Sequence, residues 1–112
     1  MLFGISSALL DALVLSVASD GETYGYEITQ TLRKSVDVSE STLYPVLRRL
    51  QKDECLSVYD KEFSGRNRRY YALTPKGRSQ LSLYREEWKL YRDKVQKLLE
   101  GGVKDDQNSV AQ

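Results

Sequence analysis

The C-terminal part of the chain constrains the fold most. Leu81, Tyr84, Trp88, Tyr91, Val95 and Leu98 follow one another in steps of three and four. That is a heptad seam, and it predicts one continuous helix with an apolar stripe. Thr74 and Pro75 occupy the N-cap and first helical positions, and Gly101-Gly102 ends the run near Glu100. At 1.5 Å per residue such a helix is about 39 Å long. A chain of 112 residues folds into one domain with a modest core. It cannot cover a stripe of that length alone. The stretch from about Gly4 to Ser19 is apolar over most of its circumference, with Ile5, Leu9 and Leu13 among its large side chains. It also wants cover on more than one side. Both helices are therefore expected in a homodimer interface formed by Ile5, Leu9, Leu13, Leu81, Tyr84, Trp88, Tyr91, Val95 and Leu98.

The N-terminal apolar run, Ile5 to Ala18, is broken by Asp11 and has no Lys or Arg before it. It is too short to span a membrane and lacks the basic start of a signal peptide. It reads as a buried helix, and the chain as cytoplasmic with no membrane partner. Histidine is absent and Cys55 is the lone cysteine. This removes the usual general base, the usual metal ligand and an internal disulfide. No enzyme chemistry, metal or cofactor is expected. Cys55 reads as a small buried apolar residue.

Three short helical segments come before a change of period. The second helix is expected over about Tyr24 to Ser35, after a turn at Ser19 to Thr23. The third contains "STLYPVLRRL", Ser41 to Leu50. Its apolar back is Leu43, Val46, Leu47 and Leu50. Its polar front is Ser41, Thr42, Tyr44 and Arg48. Pro45 either costs a helical bond on the polar side or, if the helix begins at Thr42, sits in the first turn where none is lost. Ser39 or Ser41 is the expected N-cap. "LSVYDKEF" (Leu56 to Phe63) and "RRYYAL" (Arg68 to Leu73) then alternate with period two around the loop "SGRN", which predicts a β-hairpin. Tyr71 and Leu73 point to the core in this reading, and Tyr70 to the other face.

The net charge is +1, but it is unevenly spread. Residues 1–40 hold two basic and six acidic groups, residues 41–78 nine and four, and residues 79–112 six of each. The positive excess thus falls on the third helix and the hairpin, a candidate surface for a polyanion. A solvated face, with Arg49 paired to Asp53, is the plainer alternative for the helix arginines.

The fold class expected is mainly α with a small β-hairpin: a winged helix-turn-helix over residues 1–73, a dimerisation helix over 74–100 and a disordered tail over 101–112. In that fold the third helix enters the major groove of double-stranded DNA and the wing touches the backbone or minor groove. Hydroxyls and N–H groups at a helix N-terminus suit phosphates and base edges, and arginines supply the electrostatic attraction. Two-fold symmetry implies a palindromic operator.

"YGYEI" (Tyr24 to Ile28), "STLYPVLRRL" and "GRNRRYYALTPKG" (Gly65 to Gly77) closely resemble the PadR-like transcriptional regulators. The resemblance covers about residues 5 to 100, and a single C-terminal helix matches the family's compact subgroup. It implies a homodimeric repressor of detoxification or multidrug efflux genes. It also implies DNA contacts from the third helix and wing, here Ser41, Thr42, Tyr44, Arg66, Asn67, Arg68 and Arg69, with Tyr26 added from the first motif; Ser39 and Arg48, at the start and on the polar flank of the same helix, join them as candidates. Relatives use a tryptophan near the dimer centre for drugs, which makes Trp88 and Tyr91 candidates for binding a small aromatic or cationic ligand. One departure is Glu54, where relatives usually have the glycine of "KDG". A left-handed residue there would be strained, so the helix is expected to run one residue longer. The alternatives to this function are a winged helix that binds a protein partner, or a regulator without a ligand.

Overall fold

A computed structural model describes residues 2–101. The expected tail therefore lies outside the described residues except for Gly101, which caps the last helix in the left-handed conformation. The elements in chain order are α1 (Ser7–Ala18), β1 (Thr23–Tyr24), α2 (Gly25–Arg33), α3 (Glu40–Lys52), β2 (Leu56–Phe63), β3 (Arg66–Leu73) and α4 (Pro75–Glu100).

The sheet has three strands where two were expected. Thr23 and Tyr24 pair antiparallel with Tyr71 and Tyr70, giving the order β1-β3-β2. Two residues are too few to carry an alternation signal, so the sequence assigns Thr23 to a turn and Tyr24 to the start of the second helix, where the structure has β1 and begins α2 at Gly25. The hairpin loop is also tighter than predicted. Phe63 pairs with Arg66, leaving only Ser64 and Gly65 in the turn, both at positive φ. That geometry matches the twist of a two-residue hairpin.

The core gathers Val14 and Leu15 of α1, Ile28 of α2, Leu43 and Leu47 of α3, and Leu56 of β2, all 0–2% exposed. The apolar back of α3 is thus where its spacing placed it. Tyr71 joins this core. Tyr70 is buried too, but on the opposite face of the sheet, edge-on to Tyr24 and stacked on Tyr59. A sheet face that sequence alternation marks as outer is covered here by its own aromatic rings.

α1 begins at Ser7, later than expected, because the Ser6 side chain caps it by accepting from the Leu9 N–H. α3 begins at Glu40 with Ser39 as N-cap, its Oγ accepting from the Thr42 N–H at 3.3 Å. Pro45 is therefore the sixth helical residue, and the first-turn alternative is excluded. The Ser41 carbonyl loses its helical partner on the exposed side.

The end of α3 corrects the expectation for Glu54. The helix stops at Lys52 and Glu54 does adopt the left-handed conformation, φ 65°. The Glu54 N–H donates to the Gln51 carbonyl and the Cys55 N–H to the Leu50 carbonyl, both at 2.9 Å. This is the Schellman pattern, closed by burying Cys55 beside Leu50. The strain is held from outside as well. Thr74 donates through its hydroxyl to the Glu54 carbonyl at 2.6 Å and through its N–H to the Cys55 carbonyl at 3.1 Å. The same hydroxyl accepts from the Gly77 N–H, capping α4. A side chain on Gly77 would meet the Cys55 carbonyl oxygen at 2.1 Å, so only glycine lets α4 sit this close. Burial, with Asp53 nearby, pushes the Cys55 thiol up against the opposing pull of Lys76.

Candidate nucleic-acid interface

Three hydroxyls cluster at the N-terminus of α3. The Ser39 Oγ lies 3.0 Å from the Ser41 Oγ and 3.1 Å from the Thr42 Oγ1. All three residues are exposed. They stand at the end of the helix where free N–H groups and the dipole favour an anion. One turn on, the Tyr44 hydroxyl donates to Glu40 at 3.3 Å, and its ring packs against Gly25 so closely that a Cβ there would lie 2.8 Å from it. α2 and α3 thus meet at a glycine, which brings Tyr26 beside Tyr44. Burial raises the Tyr44 pKa, with Glu40 adding to the effect.

The wing arginines are not equivalent. Period two puts Arg66 and Arg68 on the face of Tyr70, and Asn67 and Arg69 on the face of Tyr71. Arg68 is held between two rings, its guanidinium 4.0 Å from the Tyr24 centroid and 4.2 Å from Phe63. Cation–π contact fixes its stem and still leaves the N–H edge of the plane available. Arg69 makes a loose exposed pair with Asp60 at 3.5 Å. Lys61, on the outer face, is neutralised by Glu22 at 2.9 Å and raised in pKa by that bond; Tyr59 donates to the same carboxylate.

A cleft of about 460 Å³ joins these parts. It brings Tyr26 of α2 and Tyr44 of α3 together with Asn67, Arg68 and Arg69 of the wing. Arg48 is exposed on α3, close enough to Tyr71 for its charge to act on the phenol. Arg49, in contrast, pairs with Asp11 of α1 and not with Asp53. Sequence reading placed Tyr71 in the core and missed that it also lines the cleft.

On the far side, α1 and α4 pack together and leave two clefts of about 380 and 370 Å³, both bordered by Leu9, Ala12, Tyr84 and Trp88. Trp88 is 43% exposed, Tyr91 64% and Leu98 75%. Ile5, Leu13 and Tyr84 are partly buried against the core, and Leu9 and Val95 are half-buried. Leu81 departs from its assignment to the dimer seam. It is 3% exposed and belongs to the core of its own protomer, because the first turns of α4 lie on α1. Among the described residues, no cluster of side chains has the makings of a metal site, and no helix is long and apolar enough to cross a membrane.

The comparisons with known proteins converge on this arrangement. The profile of the transcriptional regulator PadR-like family matches residues 14–83. A transcriptional regulator of Mycobacterium tuberculosis is 43% identical over 70 residues, covering 62% of this chain and 65% of that protein. Among solved structures, a protein of Streptococcus mutans is 39% identical with a TM-score of 0.84, covering 90% of this chain and 95% of that one. A PadR-like transcriptional regulator of Bacillus cereus is 36% identical with a TM-score of 0.74, over 80% and 90% of the two chains. A winged helix with its third helix and wing facing one cleft, matched by this profile, makes the chain a member of the PadR-like family of DNA-binding transcriptional regulators.

Proposed function

We propose that the protein is a homodimeric repressor that binds a palindromic operator, each protomer placing α3 in the major groove and its wing on the adjoining backbone. The observation that carries this is the shared cleft, where Tyr26, Tyr44, Asn67, Arg68 and Arg69 meet beside the exposed α3 hydroxyls. Ser39, Ser41 and Thr42 supply short donors for base edges or phosphates, and Arg48, Arg66, Arg68 and Arg69 supply positive charge. Half-sites about 34 Å apart, or a multiple of it, follow from two-fold symmetry. The exposed residues Trp88, Tyr91 and Leu98 on α4, with the half-buried Leu9 on α1, support pairing through that face. They form an apolar surface of the kind a folded monomer rarely leaves open.

The clefts beside Trp88 favour a second element of the function: relief of repression by a flat aromatic or cationic molecule. The Trp88 and Tyr91 rings lie 6.2 Å apart, and the Glu87 carboxylate borders the same cleft. Rings and a carboxylate together suit an aromatic cation, which fits control of detoxification or efflux genes. A gel shift with the DNA upstream of the protein's own gene, at moderate salt, tests the lead reading; a specific, two-fold symmetric footprint is expected. No shift at any salt would move the assignment to a protein-binding winged helix. Quenching of Trp88 fluorescence by a panel of aromatic cations tests the ligand, and a flat response across the panel removes it.

A further inference from the structure

Tyr71 presents an unexplained polar group. It is 8% exposed, yet it borders the cleft between α3 and the wing. Its ring packs in the core, and among the described residues its hydroxyl makes no hydrogen bond. A buried tyrosine hydroxyl normally finds a partner, because leaving it unpaired costs the desolvation of the group. A phenylalanine at position 71 would keep the ring in the core and give up no hydrogen bond to another described residue. Burial raises the pKa of the phenol, while the charges of Arg69 and Arg48 pull it down. Arg69 of β3 lines the same cleft as Tyr71, and Arg48 is exposed on α3 one turn beyond the cleft-lining Tyr44, so two elements each bring a cation to the side of the fold that holds this neutral donor. That donor is fixed by the core, and neither Arg48 nor the Tyr71 hydroxyl has a protein acceptor among the described residues.

We propose that the Tyr71 hydroxyl, Arg48 and Arg69 form an oxyanion subsite between α3 and the wing that takes one phosphate of the DNA backbone. The proposal rests on the DNA-binding reading above and adds a residue and a role to it. The phenol donates a hydrogen bond to one phosphate oxygen, and the two guanidinium groups supply charge and further N–H donors. Asp60, the present partner of Arg69, is exposed at 3.5 Å and gives way to a full phosphate charge. Because Tyr71 is anchored in the core, the subsite sets the angle between wing and reading helix when DNA is bound. Arginines alone, on flexible stems, cannot do that.

The test uses the whole chain and a short DNA duplex of mixed sequence, since a phosphate contact reads no bases. Binding is followed by fluorescence anisotropy across a salt series. Tyr71→Phe is expected to weaken binding about tenfold, the loss of one hydrogen bond to a charged group. Its salt dependence is expected to be unchanged, since no charge is removed. Its thermal stability is expected to be equal to or above that of the wild type, because the hydroxyl it lacks was unpaired. Arg48→Gln is expected to weaken binding and to lower the salt slope by about one unit. Unchanged affinity in Tyr71→Phe overturns the subsite, and so does a large loss of stability, which would make the hydroxyl structural. If the wild type binds no duplex at all, the DNA-binding reading fails as well. Inorganic phosphate, at matched ionic strength and followed through the Tyr71 ring signals by NMR, then separates the sources. Tight binding of free phosphate without any duplex binding would assign the subsite to a small anion and overturn the DNA role.

Discussion

Arg49 of α3 donates to the carboxylate of Asp11 on α1, across 38 positions of sequence. The two partners differ in burial. Asp11 is 8% exposed, while the Arg49 side chain remains half in water. Burial raises the Asp11 pKa above the usual 3.8 despite the arginine, with Asp53 adding to the rise and Tyr84 opposing it. The pair therefore fixes α3 against α1 without being a net electrostatic gain.

Removing either partner should have unequal effects. Arg49→Met leaves a buried carboxylate alone and should cost about 2 kcal/mol at neutral pH, allowing for the partial exposure of the arginine. Asp11→Asn frees an arginine that can reach water and should cost little. The sign with pH follows from the raised pKa. The folded state holds the Asp11 proton more tightly than the unfolded chain, so Arg49→Met should regain stability as pH falls from neutral toward 3.8. Urea unfolding at several pH values measures this, and equal losses in the two variants would contradict it.

Glu54→Gly should stabilise the protein by about 1 kcal/mol, because φ 65° is free of strain only for glycine. Gly77→Ala should do the reverse, by about 2 kcal/mol or more, since its Cβ would meet the Cys55 carbonyl at 2.1 Å. Both changes bear on the contact between the end of α3 and the start of α4, and denaturant midpoints report both. A destabilised Glu54→Gly would mean that the glutamate side chain has a use beyond the turn.

On DNA, Arg68→Ala should weaken binding to all sequences alike and lower the salt slope by about one unit. Loss of its aromatic sandwich adds a cost that salt does not screen. Thr42→Ala should change the ranking of operator variants more than the affinity for random DNA. Competition binding with operator and random duplexes compares them; equal losses on both for Thr42→Ala would count against base contact.

A charge placed on the exposed α4 seam should abolish self-association. Tyr91→Glu brings two like charges together across a two-fold axis and buries them, while the core residue Leu81 is untouched. Sedimentation velocity should show wild-type dimers and variant monomers with unchanged helical content. A Tyr91→Glu dimer would place the interface elsewhere.

Local rules were enough for most of the framework, because period and capping are short-range. The step pattern of α4, the apolar back of α3, the caps at Thr74 and Gly101 and the two long strands follow from neighbours within a few positions. The uneven charge likewise marked α3 and the wing as the basic region. Three features depended on contacts between residues far apart in sequence. β1 exists only because Tyr24 meets Tyr70. Glu54 turns left-handed only because Thr74 and the burial of Cys55 hold it there. Tyr71 reads from alternation as a core residue, and only tertiary packing also places it on the cleft it shares with Tyr44 of α3 and Arg69 of the wing. Periodicity states which face a side chain is on. What that face meets is decided by tertiary packing, and here it separates the cleft-lining Tyr71 from Leu81, which α1 buries.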